Sequence, residues 1–171
     1  HVHITGHTTI GPRAKIYPFA SLGTPPQSVK YRGGPTKLTI GADCEIRESV
    51  TMNTGTEDAG GLTAVGDKCL FMVSTHVGHD CIVGNNTIFA NNASLAGHAI
   101  VEDWVIMAGF SGAHQFCKIG AHAFVGMGSL ISADVPPFVM TGMQYARPHS
   151  INAEGLKRRG FSADRIKKIK N

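Results

Sequence analysis

The sequence predicts an all-β solenoid, a parallel β-helix of hexapeptide repeats, and three observations predict it. First, residues 65–136 divide into sixes without a slip: VGDKCL, FMVSTH, VGHDCI, VGNNTI, FANNAS, LAGHAI, VEDWVI, MAGFSG, AHQFCK, IGAHAF, VGMGSL and ISADVP. Second, the first place of every hexad is apolar: Val65, Phe71, Val77, Val83, Phe89, Leu95, Val101, Met107, Ala113, Ile119, Val125 and Ile131. Third, the fifth place holds only Cys, Thr, Ala, Val or Ser. A helix of period 3.6 cannot hold period six on one face, and a simple strand alternates every two residues. One large and one small apolar place every six residues is the repeat of a parallel β-helix. First-place side chains then stack inside a prism, and fifth-place side chains fill the tight space beside each corner. Each coil buries its apolar side against the next, so several coils must form together.

The chain enters already in this pattern, with ITGHTT, IGPRAK, IYPFAS and then Leu22-Gly23. No polar cap precedes it, so further coils before His1, or a partner over the open end, are expected. Residues 24–37 (TPPQSVKYRGGPTK) break the period and are rich in Pro and Gly, which reads as a loop thrown out from a corner. Register resumes with IGADCE and IRESVT. Residues 53–61 form a second excursion, carrying Glu57 and Asp58. Long loops on a regular scaffold tend to be functional or interfacial. After Pro136 and Pro137 the pattern stops, since proline removes ladder donors. The expected organisation is therefore a parallel β-helix over 1–137 with excursions at 24–37 and 53–61. A crossing segment and the start of a C-terminal helical region fill 138–171. There, Asn152 to Arg159 suits one short helix. Ser162 suits the N-cap of a second, with Asp164 in its first turn and Ile166 and Ile169 as its apolar stripe.

At 171 residues the chain can form one domain with a real core, and its 21 glycines and 16% charged residues suit a turn-rich stack. No apolar run reaches membrane-spanning length, and no signal peptide opens the sequence. Cys44, Cys69, Cys81 and Cys117 all fall in the fifth place and should point inward. Cys81 and Cys117 would stand two coils apart, about 9–10 Å, beyond disulfide reach. Free buried thiols point to a reducing, cytoplasmic compartment. No Cys-x-x-Cys pair accompanies the nine histidines, so no metal site is expected. Basic residues crowd the end of the chain: Lys157, Arg158, Arg159, Arg165, Lys167, Lys168 and Lys170. They read equally as a solvated helix face and as a site for phosphates or an acidic partner. No aromatic-rich motif accompanies them, so no nucleic-acid partner is expected.

With three hexads to a coil, residues 18 apart are neighbours in adjacent coils. That places His79, Gly97 and Gln115 in one column and Asp80, His98 and Phe116 in the next, with His76 and His114 flanking the same corner. A single corner histidine is unremarkable, because solvent-facing corners collect polar residues. Four histidines, an Asp and a Gln on three consecutive coils point to chemistry. A corner histidine is a natural general base. A backbone N–H one coil above it could hold an oxyanion.

The segments Gln27 to Pro35, IRESVTMNTGT, GGLTAVG, THVGHDC, NNASLAGHA, AHQFCKIGAH, DVPPFV and NAEGLKRRGFS together resemble the UDP-N-acetylglucosamine O-acyltransferases, which open lipid A synthesis. They cover nearly the whole chain, in that family's order and spacing. The resemblance implies a left-handed parallel β-helix, a cytoplasmic homotrimer and active sites in clefts between subunits. It also implies a 3-hydroxyacyl group moving from acyl carrier protein to the sugar 3-hydroxyl of UDP-N-acetylglucosamine, with no cofactor, since the carrier thioester is itself a substrate. By resemblance, His79 is the general base, Asp80 its acidic neighbour and Gly97 the oxyanion N–H. His76, His98, His114 and Gln115 match substrate-lining positions, and Lys30 matches a sugar-site lysine. Asn152, Glu154, Arg158 and Arg159 match positions near the nucleotide or donor, where arginine suits paired contacts with phosphate. Met127 matches the place that limits acyl-chain length.

Two departures stand out. Ser28 occupies a position where the family often has Asp, and Thr54 one where it often has a basic residue. Measured against the family, the chain is also short of its first coils and of most of its C-terminal helical domain. The rival readings are an N-acyltransferase of the same pathway, a variant acting on a 3-amino sugar, and a non-catalytic trimeric β-helix scaffold.

Overall fold

The strands of the chain lie in three flat, parallel sheets, one along each side of a prism. The computed structural model describes residues 1–142, 156–157 and 160–170. Among the described residues the sheets have seven, six and six strands. The first contains His3–Ile4, Ser21–Thr24, Thr51–Asn53, His76–Val77, Ser94–Leu95, Gly112–Ala113 and Leu130–Ile131. Successive strands of the chain fall in successive sheets, so every third strand pairs with the one a coil below. The fold is a left-handed parallel β-helix, opposite in hand to the usual crossover.

The hexad explains the coil place by place. Sixth and first places form each two-residue strand, as in His76–Val77 or Ile82–Val83. Every first-place residue from Val65 to Ile131 is buried, and so is every fifth-place residue from Cys69 to Val135. Phe71 and Phe89 stack in the core with ring centroids 4.9 Å apart. The fourth place turns the corner in the left-handed backbone region, with φ between 55° and 66° at Lys68, Ser74, Asp80, Asn86, Asn92, His98, Trp104, Phe110, Phe116 and His122. That conformation costs a non-glycine residue roughly 1–2 kcal/mol. Hydrogen bonds between coils offset it: the fourth-place N–H donates to a third-place carbonyl one coil below, as in His98 to His79 (2.9 Å) and Phe110 to Asn91 (2.9 Å).

Pairing is in strict register. His76 pairs with Ser94, Ile82 with Ile100 and Ile88 with Ile106. The exception is where the first excursion leaves: between Leu22 and Thr24 the register slips by one residue, so that Thr24 pairs with Asn53. Elsewhere the excursions leave it intact. Thr51 still pairs with His76, although 25 residues separate them. His7 pairs with Lys37 and Lys37 with Leu62, across one excursion and then the other. The same offset sets Cys44 and Cys69 on adjacent coils, because Glu45 pairs with Leu70. All four cysteines are buried free thiols. Beyond Pro137 the chain still adds to the stack, since Met140 bridges to Phe124 and Thr141 N–H donates to the Phe124 carbonyl (2.9 Å). The helix Ala163–Lys170 begins one residue after Ser162, whose Oγ accepts from the Arg165 N–H.

Candidate active site

The side chain that organises this site is Asp80. It sits at a fourth place with φ of 59°, a conformation that Asp tolerates better than most residues. Its N–H donates to Thr63 Oγ1 (2.8 Å), and its carboxylate turns inward, with only 3% of the side chain exposed. Thr56 N–H donates to Oδ1 and the Thr56 hydroxyl to Oδ2, both at 2.8 Å. His79 Nδ1 lies 2.8 Å from the same Oδ2. A carboxylate only accepts, so Nδ1 carries the proton and Nε2 is left as an acceptor. Such charge-assisted bonds fix both tautomer and ring orientation.

Gly97 lies one coil above. A Cβ at this position would come within 2.5 Å of His79 Cε1 and 2.7 Å of Nε2, so the imidazole fills the space of the missing side chain. Among the described residues, nothing accepts a hydrogen bond from the Gly97 N–H. His98 stands behind His79, edge-on at 5.1 Å between centroids, with Nε2 3.8 Å from Asp80 Oδ2. Its own ring stacks on Phe116 at 4.4 Å. His79, Asp80 and His98 bring one ligand atom each within 4.8 Å of one another, the single such cluster among the described residues. Asp80 already accepts three hydrogen bonds there, an arrangement suited to holding an imidazole rather than a metal.

These groups open onto a cleft of about 650 Å³ on the outer face of the first sheet. His76, His79, Gly97, His114 and Gln115 line it together, so five of the positions singled out from sequence meet in one place. His76 Nδ1 is 2.7 Å from Thr51 Oγ1. Burial, and then the charge of His79, holds the His76 ring below its ordinary value. The exposed side chains of Ala96 and Leu130 give the cleft an apolar floor, with Leu95, Ala113 and Ile131 lining it while their side chains pack into the core. Gln27 and Asn53 line it as well, and neither was singled out from sequence.

Other predicted residues lie elsewhere. His98 is not on the cleft wall. Lys30 is exposed on the 24–37 excursion and does not line the cleft. Met127 projects from the corner after Phe124–Val125, 61% exposed and likewise outside the lining. Thr54 is buried, its hydroxyl 2.8 Å from that of Thr36. Asn152, Glu154, Arg158 and Arg159 lie outside the described residues.

A family profile described as UDP N-acetylglucosamine O-acyltransferase, domain 2, matches residues 134–171. The acyl-[acyl-carrier-protein]–UDP-N-acetylglucosamine O-acyltransferase of Thiobacillus denitrificans is 55% identical over 158 residues, covering 92% of this chain and 61% of that one. The chain thus spans about three fifths of the length of this curated relative. The solved UDP-N-acetylglucosamine acyltransferase of Francisella novicida superposes with a TM-score of 0.83 at 40% identity, covering 99% of this chain and 63% of that one. The acyltransferase of the same name from Campylobacter jejuni gives a TM-score of 0.74 at 31% identity, covering 99% and 73%.

Proposed function

The chain belongs to the UDP-N-acetylglucosamine O-acyltransferase family, and we propose that it transfers a 3-hydroxyacyl group from acyl carrier protein to the 3-hydroxyl of UDP-N-acetylglucosamine. The observation that carries this reading is the pairing of His79 with an unpartnered N–H at Gly97, on one cleft with an apolar floor. The sugar hydroxyl gives its proton to His79 Nε2 as its oxygen attacks the thioester carbonyl. Asp80 stabilises the imidazolium that forms, as a buried carboxylate beside the ring would. The Gly97 N–H holds the carbonyl oxygen as it becomes an oxyanion. The C–S bond then breaks, and His79 returns the proton to the departing carrier thiolate. His76, His114 and Gln115 hold the substrates along the cleft, and the acyl tail lies on the apolar floor.

The same reading makes the protein a cytoplasmic homotrimer. The adjoining sheet exposes Leu62, Ile82 and Ile100, apolar side chains suited to a neighbouring copy. No helix among the described residues is long and apolar enough to cross a membrane. Four buried free thiols favour a reducing compartment. Incubation with UDP-N-acetylglucosamine and a mixed pool of 3-hydroxyacyl carrier thioesters, followed by mass spectrometry, tests the reaction. An ester-linked acyl sugar nucleotide is expected; its absence, or an amide-linked product, overturns the reading.

A further inference from the structure

The second excursion does two jobs with consecutive residues. Thr56 holds Asp80, as described. Glu57, next in sequence, turns the other way and reaches the first excursion, where its Oε1 accepts from the Gly34 N–H (2.6 Å) and from the Arg32 N–H (3.3 Å). The two excursions therefore meet through one carboxylate, more than twenty residues away along the chain.

The surroundings fit a clamp. A Cβ at Gly34 would lie 2.6 Å from both Glu57 Cγ and Oε1, so the approach needs glycine there. The Tyr31 hydroxyl donates to the Gly34 carbonyl (2.9 Å), closing the loop on itself. The loop's base is pinned independently, by Asn53 Nδ2 donating to Thr24 Oγ1 and the Pro25 carbonyl, both at 2.9 Å. Between this base and the Glu57 contact lies the stretch from Pro26 to Gly33. It carries Gln27, which lines the cleft, and Lys30. Glu57 is the carboxylate that ties down its far end.

We propose that Glu57 is a positioning residue for the acceptor substrate. It seats the 24–37 loop so that Gln27 and Lys30 meet the nucleotide sugar at the cleft mouth. The substrate named here rests on the function proposed above. Because the clamp touches the loop and not His79, its loss should weaken binding of one substrate and leave the chemical step alone.

Two measurements on the intact protein decide it. Hydrogen exchange without ligand reads the clamp itself: Glu57→Ala should speed exchange across 28–34 while leaving 76–82 unchanged, and unchanged exchange overturns the clamp. Steady-state kinetics read its role. Glu57→Ala should raise KM for UDP-N-acetylglucosamine about tenfold, the scale of losing a charge-assisted hydrogen bond. Both kcat and KM for the carrier thioester should stay within threefold, and Glu57→Gln, which keeps an acceptor oxygen, should recover part of the loss. A fall in kcat alone, or an equal rise in KM for both substrates, overturns the positioning role. If the wild-type protein does not turn over the nucleotide sugar, the functional reading and with it the named substrate fall, while exchange still supports or overturns the clamp.

Discussion

The imidazole of His79 occupies the volume in which a side chain at Gly97 would begin, 2.5 Å from where that Cβ would stand. Glycine at this corner is thus a requirement of the base above all, and not of the turn. Gly97→Ala should push the ring off Asp80 toward the cleft and lower kcat on the order of a hundredfold. Because the displaced ring has open cleft to enter, the melting temperature should drop by only a few degrees. A variant with wild-type kcat would remove the base from this position.

His79→Ala should lower kcat by roughly 10²–10⁴, the usual range for a lost general base. The ring lies outside the apolar core of the prism, so the circular-dichroism spectrum should not change. Activity within threefold of wild type would sink the assignment.

Thr56→Val tests the support beneath the base. It removes the hydroxyl bond to Asp80 Oδ2 and keeps the backbone bond to Oδ1. A drop in kcat of about tenfold is expected, with both KM values near wild type. The neighbouring Glu57 should give the opposite signature, so the pair separates chemistry from recognition within one dipeptide.

His76 gives the protein an acid-sensitive step. Its folded-state value lies below the ordinary 6.5, because burial, and then the charge of His79, disfavour the imidazolium. Above pH 6.5 both folded and unfolded chains hold this ring neutral, and it contributes nothing. As pH falls through 6.5 the unfolded chain takes up the proton first, so stability declines until the folded ring is protonated too. His76→Asn lacks this step. Its melting temperature should therefore fall less than that of wild type between about pH 7.5 and 5.5. Equal slopes would place the acid sensitivity elsewhere.

Met127 stands one coil from Gly109 on the corner after the third sheet, as the pairing of Met107 with Val125 requires. In a trimer that corner can close a groove walled by two chains. Met127→Gly should shift the optimum of kcat/KM toward longer 3-hydroxyacyl chains, each further buried methylene contributing about 0.8 kcal/mol. An unchanged optimum across a series of carrier thioesters would remove Met127 as the length limit. Light scattering at low micromolar concentration should return three chain masses, and a single one would count against the shared groove.

Where the hexads run unbroken, spacing alone was enough to bring the candidate residues together. Eighteen residues take His79 to Gly97 and Gly97 to Gln115, and the structure puts all three on one cleft. The residues that hold Asp80 were not legible in this way. Thr56 lies 24 residues from Asp80, across an excursion whose length obeys no repeat, and its contact is made by a turn rather than by the ladder. Gln27 escaped for the same reason, since a loop's return path is set by bonds such as Asn53 to Thr24 that no periodicity announces. The adjacency of Cys44 and Cys69 was likewise hidden by an offset of 25 in place of 18. Lys30 was placed by resemblance alone, and its distance from the cleft wall reflects a loop standing above the sheet rather than in it.

Beyond each excursion the ladder runs on in regular register, and the slip between Leu22 and Thr24 is confined to the point where the first one leaves. The ladder is therefore tolerant of what is inserted at the first corner, whereas the second excursion cannot be exchanged freely, because it supplies Thr56 to Asp80. Loop closure lengthens slowly in cost, by about 0.6 kcal/mol per doubling. A foreign loop could be spliced between Thr24 and Lys37 with the coil, the base and its N–H partner undisturbed. Under the proposed function, acceptor choice and bond-making would then be separable modules, and a loop-swap library at that one corner would screen new acceptors against an unchanged column of His79, Gly97 and Gln115.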